Sequence, residues 1–268
     1  MQNIPSVKLG IVAVSRDCFP VELSRKRKEA VVEECRKKNV PVVGCEIVVE
    51  NECDVLAALD ELEKKEINAL VVYLGNFGPE GPLTMLAEEF WGPVMLCAAA
   101  EESGKDLFGG RGDAYCGMLN ASYSVGLRGL SPHIPERPVG VPSEIADRIA
   151  EFIPVARTLL GLAGLKIFTF GPRPQDFYAC NAPIKPLFDI GVEVMENSEL
   201  DLYDIFRSAE NDPLIPDTVR QMTEELGAGN HYPDLLKKLA QYERALVNFS
   251  ERNLGASRHA VFANKCWP

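Results

Sequence analysis

At 268 residues the chain exceeds the ~100 to 200 residues of one typical domain and points to two. A formal net charge of -11 repels polyphosphate and argues against a nucleic-acid partner, while 46% hydrophobic and 25% charged residues give a globular composition. There is no run apolar enough for a membrane span and no cleavable leader, so the expected location is the cytoplasm, with no membrane partner.

Residues 7–14 are apolar and β-branched and read as a strand; residues 21–38 follow at helical period, with Ala30, Val31 and Cys35 as the buried stripe. The basic run Arg25 to Lys28 reads as a solvated helix face. Strands are predicted over 41–48, 69–74 and 93–97, alternating with helices over 54–65 and 82–90. A helix over 111–127 comes next, and then a proline-rich stretch, 131–142, expected as an unpaired connector because its prolines lack amide donors. Residues 143–162 resume a helix, with Ser143 as N-cap and Gly164 as the stop. A second series holds strands over 165–170, 192–195 and 258–264 and helices over 182–190, 198–208, 213–226 and 233–253.

Apolar strands separated by helices define α/β architecture: two Rossmann-like (flavodoxin-like) parallel-sheet domains in tandem, residues 1–163 and 164–268. The second shows only three strands and is expected to be incomplete, part of a chain that continues past Pro268. Eight cysteines without a CxxC spacing read as reduced, mostly buried small side chains.

Ligands of open parallel sheets bind beyond the carboxyl ends of the strands. After the first strand, the stretch from Val14 to Phe19 lacks GxGxxG; Arg16 either donates to a hydroxyl or anion, or pairs at the surface with Asp17. After the third, three glycines and two prolines between Tyr73 and Pro82 hold an ordered loop that offers Asn76 and Phe77 to a ligand, or buries the phenylalanine in part. The stretch Asp113 to Ser122 opens a helix whose first amides suit an electronegative group, and Cys116 and Met118 read as core on spacing alone. In the second domain, Gly171 to Asn181 is a proline-stiffened loop carrying Arg173, Asp176 and Tyr178, which either fix the loop or meet a ligand. His133, His231 and His259 lie far apart without metal-ligand spacing, and there is no nucleophile elbow.

Taken in order, Lys8-Leu-Gly-Ile-Val12, Tyr73-Leu-Gly-Asn-Phe-Gly-Pro-Glu80, Cys116-Gly-Met-Leu-Asn-Ala-Ser-Tyr123, Gly171-Pro-Arg-Pro-Gln-Asp-Phe-Tyr-Ala-Cys180 and Lys265-Cys-Trp-Pro268 resemble the amino-terminal half of L-fucose/L-arabinose isomerase-like proteins. The resemblance implies a Mn²⁺-dependent aldose-ketose isomerase that moves hydrogen between C1 and C2 of a small-molecule sugar. It further implies a homo-oligomer, trimer or hexamer, and metal ligands and catalytic residues located after Pro268. On that resemblance Arg16, Asn76, Phe77 and Met118 are substrate-lining positions supplied across a subunit interface, and Arg173, Asp176 and Tyr178 belong to a signature loop. Two other classes remain open: a non-enzymatic two-lobed sugar-binding protein, and a nucleotide-binding Rossmann enzyme that would lack its glycine fingerprint.

Overall fold

The structure, a computed structural model, describes residues 4–102, 110–171, 176–178 and 183–264. The chain divides into two compact units, Ser6–Leu160 and the residues from Gly161 onward together with those up to Pro5.

In the first unit a five-stranded, wholly parallel sheet is built from β1 (Leu9–Val14), β2 (Val43–Val49), β3 (Ala69–Leu74), β4 (Val94–Ala99) and β5 (Val139–Gly140), in the order β2-β1-β3-β4-β5. Every residue of β1, β3 and β4 is buried, as sheet strands covered on both faces must be. Helices α1 (Val21–Lys37), α2 (Glu52–Lys64), α3 (Glu80–Glu89), α4 (Ala114–Leu127) and α5 (Pro142–Ala163) make the connections. This strand order is the flavodoxin-like doubly wound one, and its reversal lies between β1 and β3.

Three expectations are corrected here. The proline-rich stretch does pair: His133 donates its amide to Val94 and accepts from Leu96, and the Pro138 and Gly140 carbonyls accept from Ala98 and Ala100 at 2.8 and 2.9 Å. A proline loses its donor but keeps its acceptor, so an edge position that only has to accept tolerates it. Helix α5 starts at Pro142, one residue before the expected cap, because proline at the first helical position gives up an amide that has no intrahelical partner. The Glu144 carboxylate then accepts from the Val141 amide at 3.0 Å. The basic run on α1 is only in part a solvated face, Lys26 being its one exposed member. Lys28 is buried and donates to the Cys45 carbonyl, Arg25 donates to that of Glu46, and Arg27 is mostly buried in an ion pair; the buried stripe is Ser24, Lys28, Val31 and Cys35.

Between β2 and α2 the Glu61 carboxylate accepts from the Cys45 thiol at 2.7 Å, Lys65 at 2.6 Å and the amides of Glu46 and Ile47. Burial opposes its charge, but these hydrogen bonds outweigh it and bring its pKa from 4.5 to about 2. A carboxylate depressed on folding stabilises the fold fully above its unfolded pKa and loses that contribution as pH falls through the folded value. Glu61→Gln should therefore cost on the order of 2 kcal/mol at pH 7. In urea titrations the gap between wild type and variant should close by about pH 2; a gap that does not change with pH would contradict the assignment. Of the six described free cysteines, Cys35, Cys45 and Cys97 are buried, and burial pushes all three thiols up, Cys35 to about 11 and Cys45 to about 12. Cys18, Cys53 and Cys116 are exposed, so half of the described thiols, rather than most, are buried.

The second unit holds β6 (Leu165–Phe170), β7 (Glu193–Asn197) and β8 (His259–Asn264) in a parallel sheet ordered β7-β6-β8. Its helices are α6 (Ile184–Asp189), α7 (Glu199–Ser208), α8 (Ile215–Leu226) and α9 (Leu236–Asn253). The order repeats, in its own three strands, the β2-β1-β3 portion of the first sheet. Phe168, Phe170, Ile205, Ala245 and Phe249 form a separate core. Ser198 caps α7 in a reciprocal box with Asp201, and Asp212 ties the turn before α8 to Arg244 and Asn248 of α9.

Candidate functional site

The loops that leave β1 and β3 meet at the switch point, and a single side chain joins them. Asn76 is fully buried. Its Oδ1 accepts from the backbone amides of Arg16 at 3.1 Å and Gly78 at 3.2 Å, and its Nδ2 donates to Ser15 Oγ at 2.8 Å and to the Pro20 carbonyl. All four hydrogen-bonding positions of the amide are taken, so Asn76 shapes the site from behind and leaves nothing for a ligand. Next to it, Phe77 is half-buried and stacks on Phe19 with centroids 6.1 Å apart. The Arg16 guanidinium lies 4.7 Å from the Phe77 ring centroid and 3.5 Å from Glu80, not on Asp17. An aromatic face, a cation and a carboxylate thus stand together at the carboxyl edge of the sheet, where a polar molecule with an apolar C–H face would find partners for both.

Helix α4 closes the site from the β4 side. A Cβ on Gly117 would stand 1.9 Å from the Phe77 carbonyl oxygen, and one on Gly112 would stand 3.1 Å from Asn76 Cα. Only glycine permits this approach, which explains the glycine beside Met118. Met118 itself is buried on the inner face of α4 in the core of the unit. Arg16, Asn76 and Phe77 therefore converge on one neighbourhood, Arg16 and Phe77 at its surface and Asn76 beneath them, while Met118 lies in the core of the unit beside the glycine that α4 turns toward Phe77.

The electronegative group expected at the start of α4 is the chain's own. Glu101 accepts from the amides of Gly112 at 3.2 Å and Ala114 at 3.3 Å, and from both terminal nitrogens of Arg27, at 3.1 and 2.9 Å. Arg27 also donates to the Gly75 carbonyl at 2.7 Å. The pair ties α1, the β3 loop and the start of α4 together. Burial opposes the Glu101 charge, but the Arg27 and amide hydrogen bonds prevail and hold its carboxyl below the usual range. Sequence reasoning misses both residues; the signal available is an arginine one turn past Ser24 and the first acid after β4.

In the second unit, Gly171 leaves β6 with φ of 88°, and its amide bonds the Asn197 carbonyl at 2.9 Å. Asp176 and Tyr178 are exposed, the Tyr178 amide bonding the Asp176 carbonyl; Arg173 lies outside the described residues, and with it the pairing weighed for it. His133 stacks on Phe152 at 5.4 Å, a packing role. Among the described residues no three His, Cys, Asp or Glu side chains gather where they could hold a metal ion, so the manganese implied by the resemblance does not fit them. Among those residues no helix is long and apolar enough to cross a membrane.

Fold and site together define a doubly wound α/β domain whose β1 and β3 loops meet at the sheet's switch point. The chain belongs to the family described as the fucose/sulfoquinovose isomerase N-terminal domain, which matches residues 10–163 and so carries an isomerase-family domain. No curated protein matches it. Among solved structures it is similar to a periplasmic solute binding protein of an ABC transporter from Actinobacillus succinogenes 130z, crystallised with bound D-allose. The identity is 13%, the match covers 96% of this chain and 95% of that one, and the TM-score of 0.27 is too low to carry an argument.

Proposed function

We propose that the chain is the amino-terminal two-domain portion of a sugar aldose-ketose isomerase of carbohydrate metabolism, acting on a small-molecule sugar in the cytoplasm. The observation that carries this is the family match over residues 10–163, which spans the whole switch-point site. In this reading Arg16 donates to sugar hydroxyls and the Phe77 face receives the C–H side of the ring, with Asn76 and the Arg27–Glu101 pair holding both in place. The hydrogen transfer itself, and the Mn²⁺ that serves it, belong to residues outside this chain, and the protein assembles as a trimer or hexamer.

The test compares the 268-residue chain with a version extended past Pro268 in its own reading frame. Each is given Mn²⁺ and a panel of aldoses that includes fucose, sulfoquinovose and arabinose. Ketose should form only with the extended protein. Robust conversion by the shorter chain would overturn the reading. Tight, metal-independent binding of a sugar to that chain in calorimetry, with no conversion by either, would favour the non-enzymatic binding protein instead.

A further inference from the structure

Glu80 is the first residue of α3, at the turn where the β3 loop enters the helix. A carboxylate is favoured at that positive end, and the backbone there is anchored by the Thr84 hydroxyl, which donates to the Glu80 carbonyl at 2.9 Å. The side chain reaches the β1 loop, where one oxygen lies 3.5 Å from a terminal nitrogen of Arg16. The same guanidinium lies over the Phe77 ring, 4.7 Å from its centroid, so ring and ion pair form one surface. The two side chains are 36% and 42% exposed, which leaves the pair within reach of a ligand. Charge around it is balanced in the same way. Arg27 is matched by Glu101, and Arg111, in the loop before α4, by Asp113. The amides that open α4, a natural seat for an anion, already face the Glu101 carboxylate. Asp17, next to Arg16 in the chain, is exposed and adds a further negative charge.

Taking the switch point as the sugar end of the protein, as in the reading above, we infer that Glu80 is a specificity-determining residue. It restricts the site to neutral aldoses and turns away sugars that carry a sulfonate or carboxylate. An arginine without a counter-ion prefers an acidic group, because its planar fork matches two acid oxygens in charge-assisted hydrogen bonds. Matched to Glu80, Arg16 keeps donors for a hydroxyl but has no net charge to offer. A neutral sugar satisfies both halves of the pair: one hydroxyl accepts from Arg16, and its neighbour on the next carbon donates to Glu80. A sulfonate can accept from Arg16 but must then face the Glu80 carboxylate at close range. Because both side chains are partly solvated, screening keeps this repulsion at about tenfold in affinity. The family takes its description from a neutral sugar, fucose, and an anionic one, sulfoquinovose; in this chain the pair selects the neutral class.

The experiment compares sugars matched except for an acid at C6: quinovose with sulfoquinovose, and galactose with galacturonate. Dissociation constants are read by saturation-transfer proton NMR in the protein extended past Pro268, for wild type, Glu80→Gln and Glu80→Asp. Glu80 is partly exposed, so the fold should hold in both variants, and circular dichroism checks that it does. Wild type should bind the neutral member of a pair at least ~10-fold more tightly than the acidic one. Glu80→Gln should shift that ratio at least ~10-fold toward the acidic sugar, whereas Glu80→Asp, which retains the charge, should hold it within ~3-fold of wild type. A carboxylate that only fixed the loop would move both members together and leave the ratio alone. Equal binding within the pairs by wild type, or a ratio that Glu80→Gln does not shift, would refute the role of Glu80 and leave the switch point a sugar site. Binding of none of the four sugars by any of the three proteins would remove the sugar reading itself, and the role of Glu80 with it.

Discussion

Gly117→Ala should destabilise the first unit by about 3 kcal/mol, although alanine is the better helix former by about 1 kcal/mol. The new Cβ would lie 1.9 Å from the Phe77 carbonyl oxygen, 2.6 Å from its carbon and 2.8 Å from Phe77 Cα. All three atoms are backbone, so no rotamer change relieves the clash. The loop is also held in place, by the four hydrogen bonds of Asn76 and by Gly78 at φ of 72°. The helix must therefore move, which pulls the Ala114 amide from Glu101 and lifts Met118 from the core. Thermal unfolding followed by circular dichroism should show the first unit's transition lowered by roughly 5–10 °C. Gly126→Ala supplies the contrast on the same helix, since nothing lies within 4 Å of its Cβ; it should stabilise by about 0.5–1 kcal/mol. If both alanines stabilise, the close approach of α4 to the β3 loop is wrong.

Glu101→Ala should cost about 3 kcal/mol. The side chains of Arg27 and Glu101 are only 16% and 23% exposed, so removing the carboxylate leaves a mostly buried guanidinium with the Gly75 carbonyl alone, and two amides at the start of α4 without their acceptor. Arg27→Ala should cost a similar amount, and the double variant much less than the two together. A coupling of about 1.5–3 kcal/mol in a urea double-mutant cycle is the expected result; additivity to within ~0.5 kcal/mol would mean that the two residues act separately. Because folding holds the Glu101 carboxyl below its usual range, its contribution is present at neutral pH and lost on acidification, so the penalty of Glu101→Ala should shrink as pH falls below about 4.5.

The architecture is legible in the sequence because its strands are uninterrupted apolar runs: β3 and β6 fall on the residues read as strands, 69–74 and 165–170. What escapes are choices that only tertiary packing makes. Lys28 and Arg27 look like members of a solvated basic run until β2 and the β4 loop supply a carbonyl and a carboxylate for them. The proline-rich stretch looks unpaired until β4 offers it donors. Likewise the position of Asn76 at the ligand end of the sheet is readable from the strand before it. Composition cannot show, however, that its amide faces inward, because that depends on where Ser15 and Arg16 arrive from a strand about sixty residues earlier. The glycine of Cys116-Gly-Met118 has the same origin: its need is created by Phe77, on a loop distant in the chain.

The reading of this chain as the sugar-facing end of an isomerase rests most on Arg16 and Phe77, the two switch-point residues left at the surface. Its sharpest test is kcat/KM for aldose-to-ketose conversion, followed by proton NMR at C1, in the protein extended past Pro268, with Arg16→Ala and Phe77→Ala each checked for unchanged unfolding. Each variant should lose ~10- to 100-fold, the scale on which misplaced substrate slows a reaction. Variants that turn over every aldose as fast as the wild type would contradict the assignment of this end of the sheet to the sugar.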